Sequence, residues 1–153
     1  MGYEDGTVRP NGSISRAEVA TVLFRLLKDD VRMQNLTKDN AYSDVSDTAW
    51  YAAAVSTLSK MGVISGYPDG TFRPNDYITR AQAMTMINRV LCRMPQSESD
   101  LLDSMVTWPD NKPSDWHYLA VQEATNSHDF NRQGEVGESW TKLTSVPDWK
   151  RYQ

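Results

Sequence analysis

Apolar residues recur at helical spacing in two stretches of the chain. Val19, Val22, Leu23, Leu26 and Leu27 fall at i, i+3, i+4, i+7 and i+8, and Ala83, Met86, Ile87, Val90 and Leu91 repeat the pattern. Each set predicts an amphipathic helix with those residues buried. Both helices carry a start signal, Ser15 with Glu18 and Thr79 with Gln82, in which hydroxyl and carboxylate or amide satisfy free backbone amides reciprocally. Arg16 and Arg80 then stand at the first helical position. A different helix is predicted from about Ala49, capped by Ser46 or Asp47, with Trp50, Ala54, Val55, Leu58 and Met61 on its apolar side. Gly62 is placed to end it in a left-handed conformation. A counterpart is expected from about Asp115 to Asn126, and a short helix from about Ser99 to Met105. Residues 28–41 are polar without clear period and read as a linker. The stretch from Ser127 to Thr141 reads as a short hairpin or an irregular loop, and the tail is expected to pack through Trp149.

These elements repeat. At an offset of 64, residues 2–27 and 66–91 agree at 14 of 26 positions, including Gly2/Gly66, Tyr3/Tyr67, Asp5/Asp69, Gly6/Gly70, Arg16/Arg80 and Ala17/Ala81. At an offset of 66, Trp108-Pro109-Asp110-Asn111, Trp116 and Ala120-Val121 follow Tyr42-Ser43-Asp44-Val45, Trp50 and Ala54-Val55. One complete copy covers residues 42–92. Residues 1–30 hold the second half of a first copy. Residues 107–153 hold a divergent third copy and the tail, without a capped, arginine-led helix. The chain opens inside a repeat, so the first copy is expected to be truncated at its N-terminus.

The turn before each arginine-led helix has its own logic. Pro68 presets the first turn residue, Asp69 can bond its own backbone, and Gly70 accepts positive φ. The net charge of -4 leaves no basic field for nucleic acid. No apolar run is long enough to span a bilayer, so no membrane insertion is expected. Two histidines and one cysteine, Cys92, argue against a structural zinc site or an internal disulfide. The acidic residues lack the alternate spacing of a calcium loop. No cofactor is expected.

Asp44-Val45, Trp50-Tyr51, Ala54-Val55, Gly62, Gly66 to Pro74 and Ile78 to Gln82 together resemble the S-layer homology (SLH) family. The resemblance implies a mainly α fold, a pseudo-threefold helical bundle of helix-turn-helix repeats, here N-terminally truncated and with a divergent third repeat. It also implies a non-enzymatic task, the non-covalent anchoring of a surface protein to the bacterial cell wall, outside the cell. The ligand so implied is an acidic secondary cell-wall polysaccharide, often pyruvylated. Carried over residue by residue, the family's arginine and turn glycines are Arg16, Arg80, Gly66 and Gly70.

The residues themselves suit that chemistry. A helix start presents free N–H groups and partial positive charge, and a guanidinium adds a planar fork for a carboxylate. The competing reading has Arg16 and Arg80 pairing internally, with Asp44, Asp110 or another carboxylate, and only pinning the repeats. Tyr67 is a candidate groove residue. Trp50 and Trp116 are expected mainly as core anchors with one face left for a sugar. Ser127-His128-Asp129 lacks the convergence a catalytic triad needs, and His128 is expected to make loop hydrogen bonds. The rival function is a self-assembly module without a glycan pocket, in which the incomplete repeat exposes apolar surface and drives self-association.

Overall fold

The computed structural model describes residues 10–145. The first copy's turn (Gly2, Tyr3 and Gly6) and the Trp149 tail lie outside the described residues. Among the described residues helix occupies 36% and strand 12%, so helices set the architecture there and a single hairpin supplements them. Two compact units form, Met1–Ile78 and Thr79–Gln153, and their boundary falls inside the 42–92 copy.

In the first unit α1 spans Arg16–Leu26, α2 Asp29–Asn35 and α3 Ala52–Lys60. The capping box of α1 forms as expected: Ser15 Oγ accepts from Glu18 N at 3.3 Å, and Glu18 Oε2 accepts from Ser15 N at 2.8 Å. The face it buries differs from expectation. Arg16, Ala17, Ala20 and Leu23 are buried, whereas Val22 and Leu26 are 51% and 71% exposed. The helix is apolar on more than one side, so periodicity alone did not fix its rotation. The buried Arg16 fixes it, and the alanines turn toward α3, on which α1 packs.

Residues 28–41 are not simply a linker. Asp29 and Asp30 occupy the first turn of α2, where they complement the helix dipole, and Arg32 pairs with Asp29 three residues back. Charge at helical spacing supplies a signal that an apolar period lacks. The following strap, residues 37–40, satisfies the polar groups buried in α3. Thr37 N donates to Thr57 Oγ1 (3.2 Å), and Ser56 Oγ donates to Lys38 O (3.0 Å).

Helix α3 starts later than its pattern suggests. Residues 46–51 form turns, no side chain caps the helix, and the core is filled by Ala52, Ala54, Val55 and Leu58. Trp50 therefore precedes the helix and is 67% exposed instead of anchoring the core. Gly62 ends α3 at φ 70° as expected. The polypeptide then turns at 66–71, where Tyr67 N donates to Thr71 O (2.7 Å) and Gly70 N to Tyr67 O (3.0 Å). Gly70 adopts φ 80°. Gly66 is required for a different reason: a Cβ there would lie 2.4 Å from Tyr42 Cε1 and 2.5 Å from Thr71 O.

In the second unit α4 spans Arg80–Val90, a 3₁₀ turn Glu98–Asp100, α5 Tyr118–Thr125, β1 His128–Gln133 and β2 Gly137–Leu143. The predicted 99–105 helix contracts to that 3₁₀ turn. Trp116 precedes α5 and is 68% exposed, as Trp50 is before α3. Asn88 Nδ2 of α4 donates to Ala120 O of α5 (2.9 Å). The strands pair antiparallel from His128–Leu143 to Gln133–Gly137, with an irregularity between Asp129 and Phe130. Asp100 ties the 3₁₀ turn to the hairpin through Gln133 Nε2 (3.1 Å). Burial pushes the Asp100 carboxyl up, but amides of Gln96 and Ser97 and the side chains of Ser97 and Gln133 outweigh it and leave it below its ordinary value.

Candidate functional site

Arg16 and Arg80 begin equivalent helices but meet different surroundings. Arg16 is buried, 3% exposed. Its Nε donates to Phe72 O (2.8 Å) and its Nη2 to Ser65 O (3.3 Å). The guanidinium carbon lies 4.6 Å from the Phe72 ring centre and 5.0 Å from that of Tyr67. Burial holds its pKa below the ordinary arginine value despite the field of Tyr67 and Asp76. The first amides of α1 are also occupied: Arg16 N donates to Asp76 O (2.9 Å) and Ala17 N to Pro74 O (3.0 Å). Arg16 thus pins the turn to the helix through backbone carbonyls, where the competing reading had carboxylate partners.

The same turn carries an arginine that the sequence reading passed over. Arg73 stands at φ 58°, a conformation costly for a side chain of this size. Asp44 enforces it, its Oδ1 accepting from Phe72 N (2.8 Å) and its Oδ2 from Arg73 N (2.7 Å). The Arg73 guanidinium lies 4.0 Å from the Tyr67 ring centre and bonds Asp69 Oδ2 (2.8 Å). Hydrogen bonds from Thr71 and Arg73 pull the Asp69 carboxyl down to about 2, and Asp69 in turn raises Arg73. Tyr67, Gly66, Gly70 and two guanidiniums are therefore brought together, and the aromatic contact of Trp50 is with Tyr51 instead.

Arg80 is exposed, and among the described residues its guanidinium has no hydrogen-bond or ion-pair partner. The Thr79–Gln82 capping box forms, with Thr79 Oγ1 accepting from Gln82 N at 3.2 Å. The amides of Arg80 and Ala81 have no backbone acceptor among the described residues. The contrast follows from the repeat. Pro74–Asp76, which succeeds the second copy's turn, covers the start of α1. The third copy has no such turn, because its place is taken by β1 and β2.

That hairpin builds a cluster of which the sequence reading saw only His128. His128 Nδ1 donates to Asn126 O (2.8 Å), and its Nε2 lies 3.0 Å from Glu138 Oε1 and 3.2 Å from Glu123 Oε2. Arg93 Nη2 pairs with Glu123 Oε1 (2.9 Å), and Arg93 Nε with Glu138 Oε2 (3.3 Å). Trp140 stacks on the imidazole at 4.1 Å and donates through Nε1 to Glu123 Oε2 (2.9 Å). Burial disfavours charge on all three titrating groups. Hydrogen bonds overcome it for His128, which is raised, and for Glu123, which is lowered. Glu138 stays raised through burial and the adjoining Glu123. Glu123, His128 and Glu138 offer ligand atoms within 4.8 Å of one another, but the Arg93 guanidinium already supplies the cation that they enclose. Asp129 points out to solvent and the imidazole contacts neither Ser127 nor Asp129, so the three adjacent residues do not assemble a triad.

The S-layer homology domain profile matches residues 1–20 and 41–84. The chain is 34% identical over 149 residues to cell surface glycoprotein 1 of Acetivibrio thermocellus, covering 93% of this chain and 6% of that protein. It is 34% identical over 129 residues to the cellulosome-anchoring protein of the same organism, covering 84% and 28%. It is 33% identical over 108 residues to the middle cell wall protein of Brevibacillus brevis, covering 69% and 10%. The chain thus spans less than a third of each of these relatives. No solved structure matches it. The matched residues include the turn, the capped helix starts and the Trp-led segment described above, and through them the chain belongs to the S-layer homology domain family.

Proposed function

We propose that this chain anchors a larger surface protein to the bacterial cell wall by binding an acidic, pyruvylated secondary cell-wall polysaccharide, without catalysis. The observation that carries this reading is the Arg80 helix start, an exposed guanidinium beside two amides that meet no backbone acceptor among the described residues, in a chain of net charge -4. That is a local seat for one carboxylate. The exposed Trp50 and Trp116 offer faces for sugar rings, and Tyr67 with Gly66 and Gly70 offers a second polar surface. Arg16 supports this surface from beneath. The chain is extracellular, at the cell surface, as its family and its surface-layer relatives indicate. No helix among the described residues is long and apolar enough to cross a membrane.

Retention on purified wall polymer tests the assignment. Arg80→Ala should weaken retention about 10- to 100-fold, the range of one charge-assisted hydrogen-bond pair, with an unchanged unfolding midpoint. Arg16→Ala should act mainly by lowering stability. Full retention by folded Arg80→Ala would sink the arginine mechanism. The self-assembly reading draws on Val22, Leu26, Met33 and Leu36, all exposed apolar residues of the first unit. Concentration-dependent sedimentation together with failure to bind any wall polymer would favour it.

A further inference from the structure

The cluster around His128 contains more lone pairs than its permanent hydrogens can satisfy. Nδ1 must carry a hydrogen, because its partner, Asn126 O, can only accept. On the other side, Nε2, Glu138 Oε1 and Glu123 Oε2 converge at 3.0 and 3.2 Å. Arg93 Nη2, 3.0 Å from Nε2, and Trp140 Nε1, 2.9 Å from Glu123 Oε2, give those two atoms a hydrogen each. Among the described residues, however, Glu138 Oε1 meets no permanent donor and needs a proton held between it and its neighbours, in a site where the side chains of His128, Glu123 and Glu138 are 1%, 3% and 0% exposed. Charge balance gives the same answer. Arg93 is the permanent cation and faces two carboxylates. One proton, on the imidazole or shared with Glu138, makes the set neutral, and its loss leaves a net buried negative charge.

We propose that Arg93, Glu123, His128 and Glu138 form a single-proton latch that holds the β1–β2 hairpin onto α5, and that loss of this proton to solvent base loosens the hairpin. The groups facing the imidazole come from every element around it: Glu123 from α5, Glu138 and Trp140 from β2, Phe130 from β1, and Arg93 from the segment after α4. A cleft of about 580 Å³ lined by Met84, Ile87, Leu91, Arg93, Glu123 and His128 gives solvent a route to the proton. Arg93, which lines that cleft, is the most exposed member of the cluster, at 33%. The hairpin is the element that distinguishes the third copy from the other two, so the latch acts on the part of the chain that the repeat does not specify. It requires none of the glycan-site residues, and it stands whether or not that site binds sugar.

Hydrogen exchange on the full chain tests it. Corrected for intrinsic rates, protection of the β1–β2 amides relative to those of α3 should fall about tenfold or more between about pH 6 and about pH 9. Glu138→Gln removes one carboxylate and leaves Arg93 balanced by Glu123. Its amide can donate to a neutral Nε2, so its hairpin should stay protected across the same range. A purely structural carboxylate predicts the opposite, a hairpin loosened at every pH. Nitrogen NMR of the parent's His128 ring gives a reading that does not depend on the variant's folding: a proton bound or shared at Nε2 near pH 6, lost together with protection. Protection that is flat with pH in the parent, a pH dependence retained in folded Glu138→Gln, or an unprotonated Nε2 near pH 6 would each overturn the latch.

Discussion

Phe72→Ala is expected to remove about 3–5 kcal/mol from the unfolding free energy of the first unit, measured by urea denaturation. The side chain is fully buried and, among the described residues, is the largest that is. Its loss opens a cavity beside Tyr42, whose ring centre lies 5.6 Å away. It also strips the apolar lid from the Arg16 guanidinium, 4.6 Å from the ring centre, while that charge remains buried. The two effects are coupled, because the same residue's carbonyl is the acceptor for Arg16 Nε and depends on the ring to hold the turn segment in place. A loss of this size is a large share of the roughly 5–15 kcal/mol that a domain has. Phe72→Leu keeps much of the volume and should lose less. A loss under about 1 kcal/mol for alanine would mean that the turn is not seated on this ring.

Arg93→Ala should cost about 3 kcal/mol near pH 8, the low end of the range for breaking a buried ion pair because a third of this side chain meets solvent. Among the described residues it removes the only permanent cation paired with Glu123 and Glu138. The loss should shrink toward pH 5. His128 is raised in the folded chain, so its contribution is fully present below the ordinary histidine value and fades as pH rises through the folded value. Glu138, also raised, behaves in the same direction. Glu123 is lowered, and its contribution fades as pH falls through its folded value, below the ordinary glutamate range. The second unit should therefore be most stable from about the ordinary glutamate value to somewhat above the ordinary histidine value. A pH-independent loss in Arg93→Ala would remove the electrostatic account of the cluster.

Local chemistry was the part of this fold most legible in the sequence. Both capping boxes, the Gly62 stop and the Gly66–Gly70 turn formed because each depends on residues within a few positions. The rotation of α1 was not legible, since Ala17, Ala20 and Leu23 compete with Val22 and Leu26 for the same core and a buried arginine decides between them. Trp50 and Trp116 were misplaced because each precedes its helix by a turn, so helical spacing did not apply to them. Of the candidate site, the paired arginines were evident but their opposite environments were not: whether a helix start is covered depends on a segment some 60 positions away, Pro74–Asp76 against α1. The latch was invisible for the same reason, its members coming from residues 93, 123, 128 and 138.

The central claim is recognition of an acidic group on a wall polymer. Calorimetric titration of the chain with purified secondary wall polysaccharide, intact and with its acidic caps removed, tests it most directly. Saturable binding to the intact polymer, weakened about tenfold or more by removal of the caps, is the predicted result. Equal binding to both forms, or none to the intact polymer, would contradict it.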